Sequence, residues 1–167
     1  RMTVRGQRPV LVPQGTILEG GLQTRTVNIT LMLPEGEHLI PVSCVERGRW
    51  GRSRPFTLSP HIPDALLRSI KAASTTRRLR EGRLPRADQE TVWYHIARVH
   101  ESAYVDSPTE DLTEAFRVHN ETLQRDIAAV PTLPHQVGAV FLLRGKAVGL
   151  DVFDHPATWA AMAPKVL

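Results

Sequence analysis

The candidate chemistry of this chain concentrates in the stretch VSCVERGRWGR, which runs from Val42 to Arg52 and holds the only cysteine. A reactive thiolate needs nearby positive charge, and several arginines follow Cys44. Cysteine phosphatases, however, need one residue more between cysteine and arginine than the four that separate Cys44 from Arg49. Cys44 also shares a strand face with Val42, so the pattern favours a small buried residue over a nucleophile.

The residues after Cys44 combine a carboxylate, a tryptophan and basic side chains. Glu46 is the acid of this stretch and could act as a base, while arginines at positions 47, 49, 52 and 54 surround Trp50. Arginine forks bind phosphate, and a tryptophan ring stacks on a nucleotide base. An anion site is one interpretation of this pattern. A solvated basic loop, with Trp50 folded back onto the core, is the other.

Common catalytic and cofactor motifs are absent from the sequence. The seven histidines show no metal-ligand spacing, and neither H-E-x-x-H nor C-x-x-C occurs, so we expect no metal site. No G-x-S-x-G, P-loop or G-x-G-x-x-G motif is present, and we expect no bound cofactor. These patterns leave open whether the chain is an enzyme.

Positive charge is unevenly distributed along the chain. Residues 1–100 hold 16 lysines and arginines against 8 acidic residues, whereas residues 101–167 hold 5 against 9. Part of the excess is a run of arginines at positions 77, 78, 80, 83 and 86, which could bind nucleic acid electrostatically. No aromatic residue interleaves this run, so the pattern favours a solvated basic loop and leaves nucleic-acid binding as an alternative.

The first fifty residues have the pattern of β-strands. Residues 25–33 alternate apolar and polar side chains, and residues 38–45 form the return strand. Pro41 lies inside the return strand and has no N–H to donate, so we expect this strand at a sheet edge or at a bulge. Ser107 and Glu110, further along the chain, have capping-box spacing and predict the start of a helix that ends near residue 129.

A hairpin is predicted near the C-terminus. Residues 137–153 predict two strands, of which the almost wholly apolar segment 139–143 should be central in a sheet. Asp151 lies in the second strand, where we expect it to be exposed or to pair with an arginine of the early loop. Residues 74–84, in contrast, are basic with little periodicity and predict a frayed helix end followed by a loop.

The order of strands, three helices, a hairpin and a last helix predicts an α+β fold, with a mixed or mainly antiparallel sheet and three to four helices packed against it. We expect a single domain over residues 1–167, with residues 1–14 as an N-terminal extension. One cysteine, and no apolar run of the roughly 20 residues that span a bilayer, predict a cytoplasmic protein without membrane contact. The oligomeric state is not predicted.

Four segments carry a resemblance to a known family: GGLQTRTVN, IPVSCVERGRW, DQETVW and GAVFLLRGKAVGLDVFD. They are similar to the motifs Gly-x-Gln-x-Arg-x-x-Asn, Pro-Val-Ser-Cys-x-Glu-x-Gly-Arg-Trp, Asp-Gln-x-x-Val-Trp and Gly-x-Asp-x-Phe of an uncharacterised bacterial domain. That domain is named for its association with ADP-ribosylglycohydrolases and rhodanese-phosphatases. The resemblance runs from about residue 15 to the C-terminus, and it implies a role near ADP-ribose or phosphorylated-nucleotide metabolism.

The polar positions that match these motifs are the candidate site residues. Glu46 and Asp151 are the candidate catalytic groups, ahead of Cys44. The candidate ligand-binding residues are Gln23, Arg25, Asn28, Arg49, Trp50 and Gln89.

The resemblance implies how such a site would bind an ADP-ribose-like or other phosphorylated nucleotide ligand. Arg25 and Arg49 would hold phosphates, and Trp50 would stack on the base. Glu46 or Asp151 would accept hydrogen bonds from ribose hydroxyls. One alternative is that Gln89, Trp93 and Trp50 only buttress the loop, as a signature of the fold and not of a site. The alternative to a nucleotide ligand is a non-catalytic accessory module that binds protein or nucleic acid.

Overall fold

The computed structural model describes residues 1–51 and 53–167, and Arg52 lies outside the described residues. That part of the chain contains ten strands and five helices. The strands are β1 (Met2–Val4), β2 (Val10–Val12), β3 (Ile17–Gly21), β4 (Arg25–Val27), β5 (Leu31–Leu33), β6 (Gly36–His38), β7 (Val42–Cys44), β8 (Arg54–Leu58), β9 (Gly138–Leu143) and β10 (Lys146–Val152). The helices are α1 (Ala65–Arg80), α2 (Gln89–Ala103), α3 (Thr113–Val118), α4 (Asn120–Ala129) and α5 (Pro156–Val166).

The largest sheet has four antiparallel strands in the order β7-β4-β3-β8. Arg25 of β4 lies opposite Cys44 of β7. The return strand predicted over residues 38–45, with Pro41 inside it, is shorter: β7 begins at Val42, after Pro41. It pairs on one side only, so the predicted edge position is confirmed. On the far side of the sheet, β3 carries a bulge between Glu19 and Gly21 where it pairs with β8.

Residues 25–33, predicted as one strand, form two strands in different sheets. Asn28 follows β4, where its backbone N–H donates to the carbonyl of Pro41 and its side chain is fully buried. β5 then pairs with β2, and β6 pairs with β1. The first twelve residues therefore add one strand to each of two small antiparallel sheets.

Helices α1 and α2 pack against the four-stranded sheet. Leu67 of α1 is buried in one cluster with Val92 and Ile96 of α2 and with Ile17 of β3. Val92 and Ile96 lie four residues apart, which is the spacing of one helical face. Burying such an aliphatic side chain stabilises a fold by roughly 1.5–3 kcal/mol, so this cluster fixes both helices against the strands.

Helix α1 continues to Arg80 through the segment that was predicted as a frayed end and a loop. Lys71 and Thr75 lie one turn apart on its buried side, and both are completely buried. This tertiary burial outweighs the weak apolar periodicity of the segment. Three arginines, at positions 77, 78 and 80, occupy the last turn, where positive charge is favourable.

Helix α3 begins at Thr113, so the prediction of a helix start at Ser107 is wrong. The N–H of Glu110 donates to the carbonyl of Ser107 in a turn, and Glu110 has a left-handed φ of 52°. The side chain of Asp111 accepts hydrogen bonds from the N–H and the hydroxyl of Thr113. Asp111 therefore supplies the N-terminal cap that Ser107 was expected to supply.

Strands β9 and β10 pair only with each other in the described part of the chain. The prediction that residues 139–143 form a central strand is therefore wrong. One side of the hairpin contacts α1, and no residue from 116 to 158 is buried. The apolar residues of this hairpin are thus largely exposed.

The predicted fold class is confirmed: the chain is α+β, every strand pair is antiparallel among the described residues, and helices pack against strands. Among the helices described above, none is long and apolar enough to cross a membrane.

Candidate functional site

Glu46 and Arg49 form an ion pair just beyond the end of β7. The Nε of Arg49 donates to both carboxylate oxygens of Glu46, at 2.8 and 2.9 Å. Glu46 is only 2% exposed, and its Oε2 also accepts from the backbone N–H of Thr24 at 2.8 Å. The loop therefore folds so that an acid and an arginine three positions apart form an ion pair inside the protein.

The other two guanidinium nitrogens of Arg49 bind the bulge in β3. They donate to the carbonyls of Gly20 and Gly21, both at 3.0 Å. Gly20 has a φ of +123°, and a Cβ there would lie 2.3 Å from the carbonyl oxygen of Pro55, so the site requires glycine. Each nitrogen of Arg49 thus has a protein partner, and the residue joins the loop after β7 to β3.

A second buried carboxylate, Asp111, lies close to Glu46. The hydroxyl of Thr24 donates to Oδ2 of Asp111 at 2.9 Å and lies 3.3 Å from Oε2 of Glu46. The loop that carries Asp111 is fixed in place, because the first two N–H groups after Glu46 both donate to the carbonyl of Thr109. Two segments more than sixty residues apart in sequence therefore meet at Thr24.

Glu46 is ionised at neutral pH. Burial alone would raise the pKa of this carboxyl, but hydrogen bonds from Arg49, Thr24 and Thr109 outweigh burial and lower it. The hydrogen bond to Glu46 in turn raises the pKa of Arg49. An ionised carboxylate only accepts hydrogen bonds, so Glu46 can serve as an acceptor or a base and not as a proton donor.

A cavity of about 410 Å³ is lined by both carboxylates and by Arg49. Two exposed arginines, Arg54 of β8 and Arg117 of α3, also line it. Arg117 donates to the hydroxyl of Thr113 at 2.9 Å and to the carboxylate of Glu114. These two hydrogen bonds hold the Arg117 side chain at the cavity. A cavity of roughly 300–1,000 Å³ is typical of small-molecule sites. We call this space the carboxylate cavity.

Arg25, Cys44 and Gln89 form a separate contact group at the edge strand β7. The guanidinium of Arg25 contacts the sulfur of Cys44, which is half-buried. The side-chain amide of Gln89 accepts from the N–H of Cys44 at 2.9 Å and donates to its carbonyl at 2.8 Å. Gln89 thus makes the two hydrogen bonds to the Cys44 backbone that a neighbouring strand would otherwise make. Arg25, Cys44 and Gln89 are not among the described residues that line the carboxylate cavity.

Gln23 and Asn28 are buried in contacts within the protein. Gln23 is 1% exposed, and its side-chain N–H donates to the carbonyl of Arg47 at 3.0 Å. The side chain of Asn28 accepts from the hydroxyl of Ser43 at 2.7 Å and donates to the carbonyl of Pro85 at 3.1 Å. Both side chains therefore hold loops against β4 and β7.

Trp50 is 70% exposed, so the interpretation that it folds back onto the core is wrong. A different tryptophan, Trp93 of α2, has an arginine over its ring: the guanidinium carbon of Arg47 lies 5.2 Å from the ring centroid. The predicted contribution of Arg52 to an anion site falls outside the described residues.

Asp151 pairs with Arg68 of α1, not with an arginine of the early loop. The contact is bidentate, one of its two hydrogen bonds measures 2.8 Å, and the two side chains are 11% and 15% exposed. Gly149 lets β10 approach the helix, because a Cβ there would lie 2.6 Å from the Cβ of Ala65. The prediction that Asp151 is exposed is therefore wrong. Asp151 anchors the hairpin to α1, beside another cavity.

Lys71 is a buried amine that the sequence did not predict. Its side chain is completely buried, and its Nζ donates to the hydroxyl of Thr26 and to the carbonyl of Val27, both at 2.9 Å. Both acceptors are uncharged. Burial lowers the pKa of Lys71 to about 7.

Of the predicted site residues, the structure brings Glu46 and Arg49 to one cavity. Trp50 is exposed, and the others make separate contacts. Thr24 and Asp111 were missed. Thr24 carries no signal beyond its place in a matching motif, whereas Asp111 begins the segment Asp-Leu-Thr-Glu, which has capping spacing. Within residues 1–51 and 53–167, no group of three acidic, histidine or cysteine side chains is arranged to hold a metal ion.

Comparison with known proteins identifies a family. No curated protein and no solved structure matches the chain. A family model, described as the ARG and Rhodanese-Phosphatase-superfamily-associated Protein domain, matches residues 1–167. The match includes the first fourteen residues, which the resemblance in the sequence did not reach. The chain therefore belongs to the ARG and Rhodanese-Phosphatase-superfamily-associated Protein domain family.

Proposed function

We propose that the carboxylate cavity binds the ribose-phosphate part of an ADP-ribose-like or other phosphorylated nucleotide ligand. One observation carries this proposal: two buried carboxylates and two exposed arginines line the same cavity of about 410 Å³. Carboxylates suit hydroxyl donors, and arginines suit phosphate oxygens. A ribose phosphate presents both kinds of group within a few bond lengths.

Glu46 and Asp111 are the proposed acceptors for ribose hydroxyls. Each carboxylate oxygen can accept more than one hydrogen bond, so the contacts to Thr24 and Thr113 leave acceptor capacity. The lowered pKa of Glu46 favours the acceptor role, because the group carries no proton at neutral pH.

Arg54 and Arg117 are the proposed phosphate ligands. Both are exposed at the cavity, and a guanidinium that keeps donors available can bind a phosphate oxygen pair. Arg49 receives another role, because its three nitrogens are already bonded to Glu46, Gly20 and Gly21. It positions the acceptor, Glu46, at the cavity.

The proposal concerns binding and assigns no reaction. Trp50 does not line the cavity in the described part of the chain, so it receives no ligand contact. Asp151 is assigned to the hairpin anchor, since its carboxylate is held by Arg68.

The alternative function is a non-catalytic accessory module that binds protein or nucleic acid. The family name supports an accessory role, because it records association with ARG and rhodanese-phosphatase superfamily proteins. Exposed arginines at positions 77 and 80 in the last turn of α1, with 83 and 86 beyond it, supply the basic surface that nucleic acid requires.

A thermal-shift screen separates the two functions. The probes are ADP-ribose, NAD, ribose 5-phosphate, ATP and short single- and double-stranded oligonucleotides, each with the full chain. A rise in Tm with the ribose phosphates, and a smaller rise after Arg54→Ala, supports the carboxylate cavity. A rise with oligonucleotides alone, lost after Arg77→Ala with Arg80→Ala, supports the accessory module. The absence of any rise with ribose phosphates at millimolar concentration contradicts the first proposal.

A further inference from the structure

An apolar cavity of about 350 Å³ lies between α5 and three strands. Strands β1 and β2 and the end of β8 form one wall, and α5 forms the other. Its lining is apolar apart from two threonines and one lysine, and none of the described residues lines both this space and the carboxylate cavity. Its volume falls within the range of roughly 300–1,000 Å³ that is typical of small-molecule sites. We call it the α5 cavity.

Helix α5 turns one face towards this space. Four of its residues line the cavity: Thr158, Ala161, Met162 and Lys165. Their spacing of three and four residues is that of one helical face. Trp159, on the adjoining side of the helix, is 2% exposed and anchors α5 in the protein. The first two lining residues are small and leave room between the helix and the strands, whereas the last one carries a cation.

The opposite wall is aliphatic and held in place. Val12 of β2 is 5% exposed and is buried in one cluster with Val4 and Leu33. Its neighbour Leu11 and Leu58 of β8 line the cavity and remain 38% and 65% exposed. Exposed apolar side chains around a concave space are a feature of ligand-binding grooves. Because both walls are fixed by other contacts, the α5 cavity is preformed in the protein.

Lys165 is the only charged residue among the described residues that line the α5 cavity. Within residues 1–51 and 53–167 it forms no ion pair. The two threonine hydroxyls already donate within the protein: Thr16 to the carbonyl of Pro13 at 2.7 Å, and Thr158 to Asp154 at 3.3 Å. The cavity therefore combines an aliphatic interior with one positive charge that no described ion pair neutralises.

We propose that the α5 cavity binds a small aliphatic carboxylate, with its chain between α5 and the strands and its head group paired with Lys165. The charges determine the head group. A carboxylate carries one negative charge, which matches one ammonium, whereas a phosphate monoester carries about −1.5 to −2. Arginine, which binds phosphate in a bidentate way, is not among the described lining residues. A polar chain is disfavoured, because aliphatic walls leave its hydrogen-bonding groups unpaired.

The volume sets the length of the chain. At about 30 Å³ per non-hydrogen atom, which is the share of one water in the liquid, the cavity of about 350 Å³ holds roughly twelve such atoms. That number corresponds to a carboxylate of about ten carbons. Each methylene that the walls remove from water should raise the affinity roughly three- to fourfold until the cavity is full. We therefore expect affinity to rise from hexanoate to decanoate and to level off at dodecanoate.

Isothermal titration calorimetry of the full chain with hexanoate, octanoate, decanoate and dodecanoate, each below its micellar concentration, tests the inference. We expect one saturable site that follows this length dependence. In Lys165→Met the affinity for octanoate should fall at least about tenfold, because the charge-assisted contact is lost while the apolar stem is kept. The affinity for 1-octanol should not fall, since its contacts are with the walls. Lys146→Met, at an exposed position of β10, is the matched control and should bind octanoate like the wild type.

A second variant tests the cavity independently of the charge. Ala161→Leu adds side-chain volume to the lining face of α5 and should weaken octanoate and 1-octanol alike, at least about tenfold. Ala160→Leu, at an exposed position one residue earlier in the same helix, is its control. Circular dichroism checks that all variants fold.

Absence of saturable binding with octanoate and decanoate at millimolar concentration would overturn the inference. Unchanged octanoate affinity in Lys165→Met or in Ala161→Leu would overturn it as well. So would affinity that keeps rising through dodecanoate, because that result would indicate an open surface instead of a cavity of this size.

Discussion

Arg49 binds the carboxylate of Glu46 with one nitrogen and the carbonyls of Gly20 and Gly21 with the other two. This arrangement connects the acid and the arginine, three positions apart in the loop after β7, to the glycine pair of β3, which lies more than twenty residues earlier in the chain. It also separates two roles that the sequence could not separate. The buried pair positions an acceptor, and the exposed arginines of the same cavity remain for a ligand.

Arg49→Ala should destabilise the protein by roughly 3–5 kcal/mol, because it leaves the buried carboxylate of Glu46 without its partner. Arg49→Lys should lower the free energy of unfolding by about 2 kcal/mol, since an ammonium group cannot replace a planar guanidinium that binds one carboxylate and two carbonyls. Urea denaturation measures both. Arg125→Ala, which removes an exposed pair with Asp126, is the control and should change the free energy of unfolding by less than about 0.5 kcal/mol. Equal effects at residues 49 and 125 would contradict this role.

Gly20→Ala should destabilise the protein by about 1–3 kcal/mol or prevent folding, because of the positive φ and the contact with the Pro55 carbonyl. Gly51→Ala is the matched control, since a Cβ at Gly51 would meet nothing within 4 Å. Thermal unfolding of the two variants measures the difference. A Gly20→Ala protein with wild-type Tm would show that the bulge in β3 is not constrained as described.

Lys71→Met should remove part of the pH dependence of stability. The pKa of Lys71 is lowered from 10.5 to about 7 by burial. Between these two values the unfolded chain binds a proton that the folded protein has released, so the free energy of unfolding rises with pH. This contribution reaches about 5 kcal/mol near pH 10.5 and is absent below pH 7. Urea denaturation of both proteins from pH 6 to 10 measures it, and parallel curves would contradict the neutral buried amine.

Asp151→Asn should loosen the hairpin without changing ligand binding at the carboxylate cavity. The substitution keeps the shape of the side chain but removes the charge that holds Arg68. We expect amide exchange in β9 and β10 to rise at least about tenfold, which hydrogen-exchange mass spectrometry measures. Asp126→Asn, in an exposed pair, is the control. Unchanged exchange together with weaker ligand binding would instead favour a site role for Asp151.

The sequence predicted elements better than it predicted their partners. Alternation located the strands on either side of Asn28. The break at Asn28, however, depends on hydrogen bonds of its side chain with Ser43 and with Pro85, which is 57 residues away. The apolar run in β9 correctly indicated a strand. It wrongly indicated a central one, because an apolar run does not show how many strands pair with it, and β9 pairs with β10 alone among the described residues.

The candidate site shows the same limit. Glu46 and Arg49 were identified from their types and spacing, and the structure places both at one cavity. The direction of the Arg49 nitrogens could not be predicted, since it depends on a bulge in β3 that only the folded sheet defines. Asp111 reaches the cavity through a loop whose turn at Glu110 overrides the expected capping box at Ser107.

Isothermal titration calorimetry of the full chain with ADP-ribose tests the central claim most directly. We expect saturable binding, with affinity at least about tenfold weaker in Arg54→Ala because a charge-assisted phosphate contact is lost. Arg125→Ala should bind like the wild type. Absence of heat with ADP-ribose and with ribose 5-phosphate at millimolar concentration, or equal affinity in Arg54→Ala and the wild type, would contradict the proposed cavity.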